Sequence, residues 1–414
     1  MRTRTHLPFL IAFLAALPGI SVRLAGIHLD PPHMALISGV AILGASFLLL
    51  WACDAAQADV SQALALAVVA LIAVLPEYAV DMYFTWRAGK DPASDYAHYA
   101  VANMTGANRL LIGVAWGLVA ALYWFRRKRA VRMNEERRLE LSFLAMATVY
   151  AFAIPLKGTL AWYDSIVLLA LYVWYLILAN RRPCQESEVM GPAELLIRMP
   201  KGKRRAAVVT LFLFAAGAIM ANAEPFCEGL VGTGKALRIN EFLLVQWLAP
   251  IASEAPEFTV ALVFAWRGQA SLALGSLLSS KLNQWTLLVG MIPAVFAVSH
   301  QSLDHPIPMG QFQMQEILLT AAQSLLAVVM LASLRFSLRG ALLLFGLFAG
   351  QLVMPGIVAA VPSLAGILPA ENVHPLFSAV YVILAIVLFL RRPKPLWNLA
   401  QGLRGEPAAQ SGAK

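Results

Sequence analysis

The chain has 414 residues, of which 60% are hydrophobic and only 13% charged, with a mean hydropathy of +0.70. A soluble globular chain carries about 25% charged residues, and a membrane β-barrel needs ten-residue alternating segments that are not visible here, so both are excluded. The formal charge of +9 does not indicate nucleic acid, because the positive residues fall in short loops between apolar stretches, as in a polytopic helical membrane protein.

A spanning helix needs about 20 apolar residues. On that measure the first half contains segments 7–29, 34–53, 61–86, 96–125, 139–157 and 160–180. The second half contains 207–226, 240–266, 270–298, 313–335, 339–360 and 374–391. The expected fold class is therefore an all-α polytopic membrane protein of about 12 transmembrane helices. Arg2 and Arg4 ahead of an apolar run give the first segment a signal-like look. No clear small-residue cleavage site follows, so it reads as an uncleaved helix. Residues 181–205 form a basic linker between the halves, and the tail from 393 to 414 has the composition of a disordered segment.

Charge sets the orientation. Arg126, Arg127, Lys128, Arg129, Arg132, Arg137 and Arg138 fall in one loop, and Arg181, Arg182, Arg198, Lys201, Lys203, Arg204 and Arg205 in another. Arg335, Arg339, Arg391, Arg392 and Lys394 belong to the same side, which the positive-inside rule makes cytoplasmic. Both termini are then cytoplasmic, in a cell (plasma or inner) membrane. Arg87, Lys90, Lys157, Lys235 and Arg238 are mild exceptions. Cys53, Cys184 and Cys227 lack metal or disulfide spacing and read as small buried residues. His28, His33, His300 and His305 lie in loops and read as solvated rather than as metal ligands.

The most specific signal is an internal repeat. Pro76-Glu77-Tyr78, with Val80, Phe84, Trp86 and Arg87, returns as Pro256-Glu257-Phe258 with Val260, Phe264, Trp266 and Arg267, an offset of 180 (257 minus 77). Cys53-Asp54 and Cys227-Glu228 precede the two copies, each where the preceding span ends. Ala102 to Asn108 aligns with Gly275 to Lys281 downstream. Corresponding spans stand five apart, an odd number, so the copies have opposite orientation in the membrane, the arrangement of many secondary transporters. Trp86 and Trp266, each followed by Arg, read as interfacial anchors.

With these motifs the chain resembles the sodium/calcium exchanger superfamily of cation antiporters. The resemblance implies two inverted five-helix repeats, 31–180 and 206–362, with 1–30 and 363–392 as flanking helices. It also implies that Glu77 and Glu257 are the two central acidic ligands. Carried across residue by residue, the first Gly-Ser-Asn segment has Ala107 and Leu111 where the family has polar ligands. The second has Ser280 and Gln284. Ala73, Val74 and Leu75 replace the hydroxyl residues before the first Pro-Glu, whereas Ser253 remains and Glu254 replaces a serine before the second.

Residues three or four apart share a helix face, so Glu77 with Asp81 and Glu254 with Glu257 would offer up to four carboxylates around one space. Hard cations want such oxygen ligands, and Pro76 and Pro256 free further carbonyls. Each acid at a helix centre costs roughly 2.5–3.5 kcal/mol, which favours function over accident. Asn103, Asn108, Ser253, Ser276, Ser280 and Gln284 are further candidate ligands, alongside interhelical hydrogen bonding as an alternative role. Arg109 and Lys281 read either as tethered cations or as side chains snorkelling to the interface.

The expected function is thus a secondary cation antiporter, exchanging Ca2+ or another cation for Na+ or H+ by alternating access, without a resident cofactor. The alternatives are Na+/H+ or other monovalent exchange, and a transport-inactive scaffold. An enzyme would need a nucleophile–base pair or a His-rich metal motif, and a nucleotide-driven pump a phosphate-binding loop; neither is present in the sequence. The expected partners are inorganic cations and the lipid bilayer, and no nucleic acid.

Overall fold

Within a bilayer there is no water to bond the backbone, so apolar stretches satisfy their N–H and C=O groups internally, as helices. The structure is a computed structural model that describes residues 6–60, 70–182, 191–394 and 399–403. Its main helices are α1 (Leu7–Leu24), α2 (Pro31–Ala56), α3 (Leu75–Lys90), α4 (Tyr96–Arg127), α5 (Arg138–Lys157) and α6 (Trp162–Asn180). The second half adds α7 (Lys201–Leu237), α8 (Glu241–Trp266), α9 (Ala270–His300), α10 (Gln311–Leu331), α11 (Leu338–Ala360) and α12 (Val373–Arg391). Among the described residues, 11 helices are long and apolar enough to cross a membrane. The remaining long helix, α3, has 16 residues and follows 61–69, which lie outside the described residues.

The chain divides into two compact units, and the division cuts each repeat within its second helix, near the end of α3 and midway along α8. The first unit takes Met1–Arg87 and Ala179–Glu257, so α1, α2, α3, α7 and the front of α8 build it. Its core is rich in alanine: Ala12, Ala16, Ala45, Ala52, Ala215 and Ala218 are buried together. Small residues let membrane helices approach closely. A Cβ on Gly44 would stand 2.5 Å from Ala12 O, and one on Gly229 would stand 2.6 Å from Ala35 N. Cys53 and Cys227 are buried in this unit; Cys184 lies outside the described residues.

The second unit takes Ala88–Leu178 and Phe258–Lys414. Here α10 packs against α4, α5 and α12, and α11 packs on α4. Both α4 and α9 contain a π-helical turn, Leu111–Trp116 and Gln284–Leu288. The turns start 173 residues apart (284 minus 111), the same offset as the aligned third-helix segments, and π-turns inside α-helices are frequent at functional sites. A two-stranded antiparallel ribbon, β1 (Val131–Arg132) with β2 (Arg335–Phe336), ties two of the basic loops together.

Three expectations change. Helix α7 runs for 37 residues, through Pro225, rather than over 207–226. At about 1.5 Å per residue it is far longer than a bilayer core of about 30 Å. Lys201, Lys203, Arg204 and Arg205 therefore belong to its first turns and not to a linker loop. Residues 183–190 of that linker lie outside the described residues. The tail is not wholly irregular either: Leu399–Leu403 forms a helical turn whose Leu399 carbonyl accepts from the buried Ser142 Oγ at 2.7 Å. Residues 395–398 and 404–414 lie outside the described residues.

Candidate functional site: a cluster of carboxylates

Pro76 cannot donate to the preceding turn, and the helix breaks just before it. The short helix Ala70–Ala73 ends at a turn on Val74, and α3 restarts at Leu75. Glu77 thereby occupies the first turn of a helix, where the helix dipole favours negative charge. The second copy differs, because α8 continues through Pro250 and Pro256 without interruption and holds Glu254 and Glu257 in its interior. There Ser253 Oγ donates to Ala249 O at 3.3 Å, so this hydroxyl is used within its own helix.

Glu77, Asp81 and Glu254 are each at most 3% exposed. The Glu77 and Glu254 carboxyls lie within hydrogen-bonding reach of each other, and Asp81 and Glu257 add their charge from nearby. Two carboxylates cannot share a hydrogen bond without a proton, and like charges this close repel strongly where water is excluded. A proton or a metal cation would relieve that repulsion. Among the described residues, no three His, Cys, Asp or Glu side chains gather as a metal centre. Glu77 and Asp81 are four residues apart, about 6 Å along their helix axis, and Glu254 and Glu257 are three apart, about 4.5 Å.

Two more acids lie nearby. Asp54, at the end of α2, stands near Glu257. Glu228 of α7 accepts from Tyr83 Oη of α3 at 2.6 Å, and Cys227 Sγ lies 4.0 Å from Val80 O. A cavity of about 310 Å³, lined by Arg23, His28, Ser38, Glu224 and Glu228 among others, adjoins this end. The candidate ligand set omits Asp54 and Glu228, although the repeat points to them as the acids that follow Cys53 and Cys227.

The other candidate residues lie in the second unit. Asn103, Asn108 and Gln284 are buried at 1% exposure or less, and the buried Ser280 Oγ has no hydrogen-bond partner among the described residues. Ser276 is exposed on α9 and does not join the buried set, because its place on the helix turns it outward. Asn108 Nδ2 donates to Met104 O at 2.8 Å, and Asn108 Oδ1 accepts from Lys281 Nζ at 2.6 Å. Neither Arg109 nor Lys281 snorkels, since both are buried at 2% exposure or less. Arg109 ion-pairs with Glu316 of α10, whose other oxygen lies 3.0 Å from His374 Nδ1 at the start of α12. Gln323 Nε2 adds a bond to Arg109 O at 3.3 Å. Glu316 and His374 were missed in the sequence, where a lone acid in segment 313–335 was the available signal. Trp86 and Trp266 are 44% and 57% exposed, and the Arg126 guanidinium stacks 4.6 Å above the Trp266 ring, as interfacial residues do.

The family described as sodium/calcium exchanger protein matches residues 31–180 and 207–356. A crystal structure of an H+/Ca2+ exchanger, CAX, is 41% identical, with 97% of this chain and 98% of that chain covered and a TM-score of 0.89. The sodium-calcium exchanger NCX_Mj shares the fold at 20% identity, a TM-score of 0.51 and coverage of 78% and 97%. Native YfkE does so at 14% identity, a TM-score of 0.59 and coverage of 92% and 99%. No curated protein matches the chain.

Proposed function

Since the chain belongs to the sodium/calcium exchanger family, we propose that it is a secondary antiporter that exchanges Ca2+ for H+ across a cell membrane by alternating access. The observation that carries the reading is the Glu77–Glu254 contact between helices of the two repeats, with Asp81 and Glu257 beside it. Such a cluster takes either a divalent cation or protons, and binding one expels the other, which is the chemistry of exchange. Glu77 and Glu257 are the principal ligands, and Glu254 and Asp81 assist. The transported cation is a substrate; no resident cofactor and no catalysed reaction enters the cycle.

Both termini are assigned to the cytoplasm. The ribbon of β1 and β2 supports this, because it joins the loops that hold Arg126 to Arg138 and Arg335 to Arg339, and Leu399–Leu403 packs on the neighbouring start of α5. Lys157, an exception on the opposite side, is paired with the buried Asp164 and is no free loop charge.

The test is an ion panel in proteoliposomes. An imposed pH gradient should drive Ca2+ uptake, and a Ca2+ gradient should drive counter-movement of protons. Uptake driven only by Na+ would reassign the coupling ion, and no flux with Ca2+, Na+ or H+ in any combination would leave the scaffold reading.

A further inference from the structure

Repeat-equivalent residues meet inside the second unit. Asn108 and Lys281 stand 173 residues apart (281 minus 108), the offset already shared by the two π-turns. Lys281 is fully buried, and its ammonium donates to Asn108 Oδ1 at 2.6 Å and to Asn108 O at 3.4 Å. It also lies 4.4 Å from the centre of the Trp285 ring, which the second π-turn presents. An amide oxygen, a main-chain carbonyl and an aromatic face are the partners that a small desolvated cation takes.

The amide is aimed independently of the lysine. Asn108 Nδ2 is held by Met104 O of its own helix at 2.8 Å, so its oxygen points at the ammonium whether or not that charge is present. A lysine at membrane depth is expensive, and such residues face the bundle interior for a reason. Resting on the Ca2+/H+ reading above, we infer that Lys281 is a resident monovalent cation. Its ammonium fills a position that would otherwise draw Na+ from solution, so divalent transport by this chain requires no bound monovalent ion. Asn108 is then a positioning residue and not a ligand of the transported ion.

The test compares wild type, Lys281→Gln and Lys281→Arg as full chains in proteoliposomes, with Ca2+ uptake measured in Na+ and in choline. Wild type and Lys281→Arg should transport equally in both. Lys281→Gln should be slow in choline and recover by about fivefold or more in Na+, the lower end of ordinary ligand–ligand coupling. A Lys281→Gln chain indifferent to Na+, or a Lys281→Arg chain that behaves like it, overturns the inference. Thermal unfolding in detergent gives a readout independent of transport: Na+ should raise the melting temperature of Lys281→Gln and not that of wild type. If wild type moves no Ca2+ under any gradient, the parent reading fails, and the Na+-dependent melting shift still decides this one. Should Lys281→Gln prove too unstable to purify, Lys281→Met, which keeps the stem against Trp285, carries the same measurements.

Discussion

Replacing Glu77 by Gln removes one charge and one proton acceptor without changing the shape of the side chain. Opposite unit charges 4 Å apart attract by about 4 kcal/mol at an effective dielectric constant of 20. Glutamine keeps a carbonyl oxygen for the ion, so we assign about half of that to the substitution, roughly 2 kcal/mol, or thirtyfold in the KM for Ca2+. A second consequence follows from the Glu77–Glu254 contact. The glutamine amide can donate to Glu254 with no added proton, so Ca2+ entry should displace fewer protons in the variant. Uptake driven by a pH gradient should therefore fall more steeply than Ca2+/Ca2+ exchange measured at saturating Ca2+ in the same vesicles. Glu257→Gln should behave alike. If both variants show the wild-type KM and the wild-type response to a pH gradient, the carboxylates of the repeats do not hold the transported ion.

Other perturbations test the scaffold around that cluster. Glu316→Ala leaves Arg109 buried without its ion-pair partner and should destabilise the protein by about 3–5 kcal/mol, whereas Arg109→Met with Glu316→Met should recover most of the loss; unfolding in detergent measures both. Gly44→Val places a Cβ 2.5 Å from Ala12 O, so it should lower the melting temperature by the equivalent of about 1–3 kcal/mol, with Gly217→Ala, where a Cβ meets nothing within 4 Å, as the neutral comparison. Asp59 is held below the ordinary carboxylate range by its hydrogen bonds to Arg204 and the charges of Arg204 and Arg205. A depressed carboxyl contributes stability above its unfolded value, near pH 4, and loses it as pH falls through the lower folded value. Melting curves of wild type and Asp59→Asn should thus differ at neutral pH and converge in acid; parallel curves at all pH would remove Asp59 from this role.

The spans were legible because a helix in lipid needs a long apolar run and little else. The duplicated Pro-Glu string likewise announced the repeat and its central acids. What sequence could not show is how one motif behaves in two settings. Pro76 follows a helix break at Val74, while α8 runs unbroken through Pro256, although the Pro-Glu string is the same in both. The partner of Arg109 was hidden for a different reason: Glu316 lies 207 residues away, and nothing local marks the pair. The true length of α7 was obscured because its ends are polar, so a hydropathy window stops well short of them. Ser276 was proposed from its place in an aligned segment, and helical rotation alone turned it outward.

The interleaved division of the chain also governs the order in which the molecule can be made. Helix α2 ends at Ala56, and α7, against which it packs, does not begin until Lys201. During synthesis α3, α4, α5 and α6 all leave the ribosome before that partner exists. Gly44 of α2 already meets α1, whereas Ala35 and Gly39 have their partners on α7 and lack them until four further helices have been made. Contacts this distant in sequence are slow to form. The tight fit at Gly229 and Ala35 can therefore form only once the second half of the chain has begun to enter the membrane.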